Sequence, residues 1–315
     1  MKVSIIGGAG VVGASAAYRI ARDGRVAEIV LIDIQQNLAK AHALDIEQAV
    51  ANSANTQVRA GEITDTKNSD IIIMTAGIGH RPAVTRSEFL NENLPIVMDL
   101  TEKIVQSSPS AVWLMATVPV DPLVFLIHKM FSIPSHKAVG LNRNDTSRFR
   151  WAIAKVLSVS ANRINAFVLG EHGQTQVPIF SHIFIDGEKV SLTAEQVQEV
   201  KDSLSGFFRQ WNRLSPNRTA GWASAESIGD IVFAFTSGSN EIFNCSTPLY
   251  GQYGLSEVSV GVPVRFNTDG IKEVVEIKLE KSEKKALEAS AATVQEGIVQ
   301  AKALLRRSKG ESGTK

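Results

Sequence analysis

Two stretches of the chain carry residue types and spacings that can do chemistry. The first reads Gly7-Gly8-Ala9-Gly10-Val11-Val12-Gly13. Its glycines fit both Gly8-x-Gly10-x-x-Gly13 and Gly7-x-x-Gly10-x-x-Gly13. One glycine permits a tight turn, one lets backbone N–H groups approach a pyrophosphate, and Gly13 lets a helix lie close to a strand. A helix starting there turns the positive end of its dipole toward the phosphates. Asp33 follows 20 residues after Gly13. A carboxylate so placed accepts hydrogen bonds from ribose hydroxyls and repels a 2′-phosphate, which selects NAD over NADP. No Gly-Lys-Ser/Thr follows the glycines, so a P-loop is excluded. The other reading is an ordinary glycine-rich turn between a strand and a helix.

The second stretch is Gly170-Glu171-His172-Gly173. Hydride chemistry on a nicotinamide needs a held carbon, a proton acceptor for the hydroxyl and an anion site for orientation. Histidine titrates near neutrality without tuning, so His172 is the candidate base. The flanking glycines would let its side chain project into a cleft. A hydrogen-bonded structural histidine is the alternative. Of the five other histidines, only His80 has a comparable setting.

These stretches need elements to hold them. Val3 to Ile6 and Ile29 to Ile32 are short, mostly β-branched runs, as strands buried on both faces of a parallel sheet require. Between them Ala14, Ala16, Ala17, Ile20 and Ala21 outline a helix that stops at Gly24. A helical pattern follows through Ala39, Leu44 and Ile46, and Val58 opens a short strand. Asp70 to Gly77 is a buried strand ending in a second glycine turn. Ile78 to Glu88, with His80, Arg81, Pro82 and Arg86, reads as a mobile charged loop. A helix from about Phe89 runs through Ile96, Leu100 and Ile104. Ala111 to Ala116 and Val139 to Leu141 are two further strands. The alternation predicts an α/β fold, a Rossmann doubly wound parallel sheet, with ligands beyond the carboxyl ends of its strands. Thr75, Ala76, Gly77 and Thr117 occupy such ends and join the expected cofactor site.

The second half changes character, and a tight boundary at 142/143 separates residues 1–142 from an α+β catalytic domain over 143–307. Ser147 to Leu157 is helical, and Asn165 to Gly170 is a strand leading into His172. Val197, Val200, Leu204, Phe207, Phe208 and Trp211 recur at helical spacing, which reads as core. Val258 to Phe266 and Glu273 to Glu280 form a hairpin across Asn267 to Gly270. Leu287, Ala291, Val294, Ile298, Ala301 and Leu305 make a long amphipathic closing helix, and the polar tail 308–315 reads as disordered.

Composition bounds the partners. The chain has 315 residues and a net charge of +1, so neither nucleic acid nor an anionic membrane is suggested. Its single cysteine, Cys245, forbids an intramolecular disulfide, fits a reducing cytoplasm and reads as a small buried hydrophobe. No apolar run reaches the roughly 20 residues of a membrane span, no signal peptide is visible, and no metal site is expected.

The chain resembles the lactate/malate dehydrogenase family over nearly its full length. The matching stretches are Gly7 to Gly13, Leu31-Ile32-Asp33-Ile34, Thr75-Ala76-Gly77, Thr85-Arg86, Pro119-Val120-Asp121, Asp145-Thr146-Ser147-Arg148-Phe149-Arg150, Gly170 to Gly173 and Val260 to Val264. The resemblance implies an NAD-dependent L-2-hydroxy acid dehydrogenase acting on a small 2-hydroxy or 2-oxo acid, as a homodimer or homotetramer. It implies His172 as acid/base, Asp145 as its orienting carboxylate and Arg148 as a bidentate clamp for the substrate carboxylate. Arg86 would polarise the substrate carbonyl when its loop closes. Asn93 matches a family asparagine near the nicotinamide end. Asp145 also reads as a helix cap before Ser147.

The departures fall in the specificity shell. Val118 stands where the family has an asparagine that bonds the substrate oxygen. His80, followed by Arg81, replaces the arginine of malate enzymes and the glutamine of lactate enzymes. The loop lacks a glycine at Pro82-Ala83-Val84, and Gln174 replaces an acid. Ala220 is malate-like, since lactate enzymes tend to carry threonine there. These changes predict a 2-oxo acid other than oxaloacetate or pyruvate, with a longer or differently polar tail. An ordinary malate dehydrogenase, with Arg81 swinging in, is the alternative. A catalytically weak NAD-binding structural or regulatory protein is the reading from another class.

Overall fold

A computed structural model describes residues 1–79, 86–216 and 218–308, without the side chains of Arg86, Phe208 and Ser308. The first half alternates strand and helix: β1 Lys2–Ile6, α1 Val11–Asp23, β2 Glu28–Ile32, α2 Gln36–Val50, β3 Gln57–Gly61, β4 Ile71–Met74, α3 Arg86–Val105, β5 Val112–Met115, α4 Val120–Phe131 and β6 Ala138–Leu141. These six strands are parallel neighbours in the order β6-β5-β4-β1-β2-β3. Beyond β1 the chain winds toward β3; after β4 it winds the other way. Right-handed crossovers then put α1 and α2 on one face and α3 and α4 on the other. The order reverses between β1 and β4, where a doubly wound sheet opens its crevice. Strands β4, β5 and β6 are buried along their whole length, which explains their continuous apolar runs.

The second half begins with α5 Arg143–Leu157 and five two-residue strands: β7 Ile164–Asn165, β8 Val168–Leu169, β9 Val177–Pro178, β10 Phe184–Ile185 and β11 Glu188–Lys189. Then come α6 Ala194–Arg213, α7 Trp222–Ser237, β12 Ser239–Tyr250, β13 Ser256–Asn267, β14 Gly270–Val274 and α8 Lys281–Ser308. Strand β12 pairs antiparallel with β6, so β12, β13 and β14 extend the first sheet to nine strands. A main core joins sheet, α1, α4, α7 and α8; smaller cores lie under α5 and α6 and behind β8 and β9.

Several elements differ from expectation. Helix α5 starts at Arg143, four residues before Ser147, and its first turn buries Asn144, Asp145 and Thr146. Asp145 is therefore not a cap but an acid in the first turn, favourable to the helix dipole. Helix α3 starts at Arg86, inside the expected loop. Asn165 to Gly170 is two short strands with different partners, β7 on β10 and β8 on β9. The second hairpin strand is Gly270–Val274, not Glu273 to Glu280. Residues 275–280 keep their alternating burial, but Tyr253 replaces a sheet neighbour. Its hydroxyl donates to the Val275 carbonyl and accepts from Ile277 N–H, each at 3.0 Å. Leu44 is 63% exposed and belongs to no core. Among the described side chains of the stripe on α6 only Val200 is fully buried, while Phe207 and Trp211 are half-buried. Helices α4 and α7 and strand β12 were not expected. Helix α8 takes in Ser308, and residues 309–315 lie outside the described residues. Cys245 is fully buried in β12, and burial pushes its thiol up to about 12.

Candidate active site

The glycine turn crosses the carboxyl ends of β1 and β2. Gly7 N–H and Gly8 N–H both donate to the Ile32 carbonyl. Gly7 has φ +90°, and a Cβ there would lie 2.6 Å from the Ala76 backbone nitrogen. Only glycine meets both conditions. A Cβ on Gly13 would run into the Gly7 carbonyl oxygen, so α1 needs glycine to sit this close to the turn. The N-cap of α1 is Gly10, which has no side chain to spend on the first turn. Val11 and Val12 open the helix half-buried, and its first N–H groups face the crevice end.

Asp33 stands just past β2. One carboxylate oxygen accepts from Ala9 N–H at 3.0 Å and the other from Gln35 N–H at 2.9 Å. It therefore also ties the turn to the strand end, a second role the spacing did not reveal. From β4, the Thr75 hydroxyl donates to the Ile6 and Gly7 carbonyls. The Thr117 hydroxyl donates to the Ala76 carbonyl at 2.7 Å. Asn93, buried on α3, accepts from Ile78 N–H and donates to the Val118 carbonyl, both at 2.7 Å. It is a strut between the loops after β4 and β5, and Gly77 packs against it. Gly221, next to Ala220, lies against Val11 from the α7 side. The residues expected around a dinucleotide thus surround one crevice end. The cradle that a Cβ would fill, the bare helix N-terminus and the ribose-side carboxylate fit such a cofactor.

The residues expected to do acid/base chemistry and to clamp the substrate lie in contact with one another. His172 Nδ1 and one oxygen of Asp145 are 2.5 Å apart. The other Asp145 oxygen accepts from Arg148 Nη1 at 2.8 Å. One carboxylate, 6% exposed, therefore joins a histidine 18% exposed to an arginine 16% exposed. A buried carboxylate on Nδ1 fixes the orientation of the imidazole ring. Helix α5 supplies Asp145 and Arg148 from successive positions on one face. His172 follows β8, where Gly170 bridges to Gly261 of β13 and takes φ +87°.

Four contributors escaped the sequence reading. Asp121, fully buried in the first turn of α4, accepts from His172 N–H at 2.7 Å. Its place in Pro119-Val120-Asp121 was the available signal. Ser290 of α8 accepts from Glu171 N–H at 2.8 Å, and the Thr175 hydroxyl donates to the Glu171 carboxylate at 2.6 Å. Phe207 of α6 sets its ring 5.4 Å from the Arg148 guanidinium carbon. His80 and Arg81 lie outside the described residues, as does the side chain of Arg86. No helix among the described residues is long and apolar enough to cross a membrane.

The molecule has known relatives. Residues 1–140 match the model of the lactate/malate dehydrogenase NAD-binding domain, and 143–305 that of the family's α/β C-terminal domain. A malate dehydrogenase of Chlorobium phaeovibrioides is 35% identical over 303 residues, covering 94% of this chain and 97% of its own. An L-lactate dehydrogenase of Clostridium perfringens is 30% identical over 301 residues, covering 92% and 94%. The Cryptosporidium parvum malate dehydrogenase structure superposes with a TM-score of 0.90 at 29% identity, over 96% of this chain and 99% of that one. The chain therefore belongs to the lactate/malate dehydrogenase family.

Proposed function

We propose that this protein is an NAD-dependent L-2-hydroxy acid dehydrogenase that interconverts a small 2-hydroxy acid and its 2-oxo acid. The observation that carries this reading is the shared Asp145 carboxylate, which holds His172 on one oxygen and Arg148 on the other. An acid/base and a carboxylate clamp are then fixed relative to one another beside the cofactor crevice. Arg148 orients the substrate through its carboxylate. His172 takes the hydroxyl proton in oxidation and returns it to the carbonyl oxygen in reduction. A bound nicotinamide would accept the hydride from C2 as NAD+ and return it as NADH. Arg86, at the start of α3, is the proposed electrophile for the substrate oxygen. Asp33 favours NAD over NADP because its carboxylate would face a 2′-phosphate.

Malate is the second reading for the substrate, favoured by the malate dehydrogenases among the relatives and by Ala220. Against it stand Val118, which offers the substrate oxygen no hydrogen bond, and His80, an imidazole where malate enzymes carry the permanent charge of an arginine. We place the domain boundary at 142/143 and the working form as a homo-oligomer in the cytoplasm. The test is loss of nicotinamide absorbance when the protein meets NADH, or NADPH, and a panel of 2-oxo acids. Turnover with NADH and little with NADPH is expected. No turnover with any acid would make this an NAD-binding protein without the chemistry, and equal kcat/KM for both cofactors would remove the role given to Asp33.

A further inference from the structure

Helix α5 opens with an arginine, which the helix dipole disfavours. A cation in the first turn meets the positive end of the macrodipole, so Arg143 needs partners from outside its helix. They come from α7 and β12. Its Nε donates to one oxygen of Asp230 at 2.8 Å, and its Nη2 donates to Glu241 at 2.9 Å. Its guanidinium carbon lies 4.4 Å from the centroid of the Phe243 ring. The first residue of α5 is thereby pinned to α7 and β12. Asp145 and Arg148 follow in the first two turns of the same helix.

The second oxygen of Asp230 faces α1, where Arg19 Nη2 lies 3.7 Å from it. Arg19 is also held by α7: its Nε donates to Glu226 at 2.9 Å, and its guanidinium carbon lies 4.6 Å from the Phe233 ring centroid. Helices α1 and α7 approach closely at two places. A Cβ on Gly221 would lie 2.6 Å from Val11 Cγ1, and one on Gly229 2.7 Å from Arg19 Cγ. The helix that Arg19 steadies begins at the dinucleotide turn.

We propose that Asp230 is a positioning residue for both halves of the site, with Arg143 and Arg19 as its two arms. One carboxylate oxygen sets the start of the helix that bears Asp145 and Arg148. The other steadies the helix that bears the glycine turn. This rests on the dehydrogenase reading above. A helix moves as a rigid element, so a displacement at Arg143 is passed on to the contacts that Asp145 makes with His172 and Arg148. A misplacement of about 1 Å in a positioned group can cost on the order of 10²-fold in rate. Without the Asp230 charge, Arg143 keeps Glu241 and Arg19 keeps Glu226, so each arm slackens rather than breaks.

The experiment measures Tm, NADH affinity by fluorescence, and kcat and KM at saturating NADH on the wild type, Asp230→Asn, Asp230→Glu, Arg143→Ala and Arg19→Ala. The probe acid is oxaloacetate or pyruvate, whichever the wild type reduces faster. Arg143→Ala should lower kcat/KM for the acid roughly 2- to 30-fold, the range for residues that act through a packed network, and leave NADH affinity within about twofold of the wild type. Arg19→Ala should do the reverse. Asp230→Asn should move both quantities, and Asp230→Glu, which keeps the charge, should recover most of each loss. An Asp230→Asn protein that melts lower yet keeps wild-type NADH affinity and kcat/KM would make the network a structural brace and overturn the proposal. Should Asp230→Asn not fold, the single-arm variants decide: equal effects of Arg143→Ala and Arg19→Ala on both quantities, or no effect on either, would overturn it too. A wild type that reduces no acid of a wider panel would sink the dehydrogenase reading, and this proposal with it.

Discussion

The two sides of the crevice are made of different material. The cofactor side is mostly backbone: N–H groups at the start of α1, a glycine turn bonded to β2, and carbonyls clamped by Thr75 and Thr117. The side proposed for acid/base chemistry is mostly side chains: Asp121 from α4, Asp145 and Arg148 from α5, and His172 after β8. Backbone geometry tolerates changes of side chain but not an added Cβ. Side-chain geometry tolerates backbone shifts poorly, and it depends on partners far away in sequence. A substitution on the cofactor side should therefore act through steric exclusion, and one on the acid side through lost charge and hydrogen bonding.

Arg148→Lys should break the acid side hardest among conservative changes. Lysine is a point charge that cannot form the two-pronged carboxylate contact or lie flat on Phe207. Two weakened charged hydrogen bonds, at roughly 1.5–3 kcal/mol each when lost outright, imply a fall in kcat/KM on the order of 10²-fold or more, with NADH affinity unchanged. Steady-state kinetics on the variant, with NADH titrated by fluorescence, checks both halves. A variant with wild-type KM for the 2-oxo acid would remove Arg148 from the clamp.

Gly13→Ala probes the other side, with a smaller effect. The new methyl would meet the Gly7 carbonyl, and the turn or α1 must move. Overpacking of this kind costs roughly 1–3 kcal/mol. NADH should bind about 5- to 100-fold more weakly, while the response to substrate at saturating NADH changes little. Were the variant to bind NADH normally and lose turnover instead, the contrast between the two sides would be false.

The same contrast explains what was legible in the sequence. The cofactor side is nearly contiguous, and its glycines, flanking strands and Asp33 announce themselves by spacing. The acid side is assembled from positions 121, 145, 148 and 172, which spacing alone cannot bring together. There the family resemblance supplied Asp145, Arg148 and His172, and the structure brings these three into contact. The α6 stripe is only partly core, with Val200 fully buried and Phe207 and Trp211 half-buried, because helical periodicity marks a face as apolar without saying how deeply it is covered. Asp121 was visible in a matching stretch but carried no role until its bond to His172 was seen. The second hairpin strand failed for a different reason. Alternating burial was real in residues 275–280, but a tyrosine hydroxyl, not a strand, satisfies that backbone.

The central claim is that His172, held by Asp145, moves the proton in this reaction. The most direct test is His172→Asn, with NADH affinity and turnover of the best 2-oxo acid measured on the same preparation. NADH binding should stay within a few-fold of the wild type, and kcat should fall by roughly 10²–10⁴-fold, the usual scale of general acid–base catalysis. A folded variant that binds NADH and keeps wild-type kcat would contradict the account.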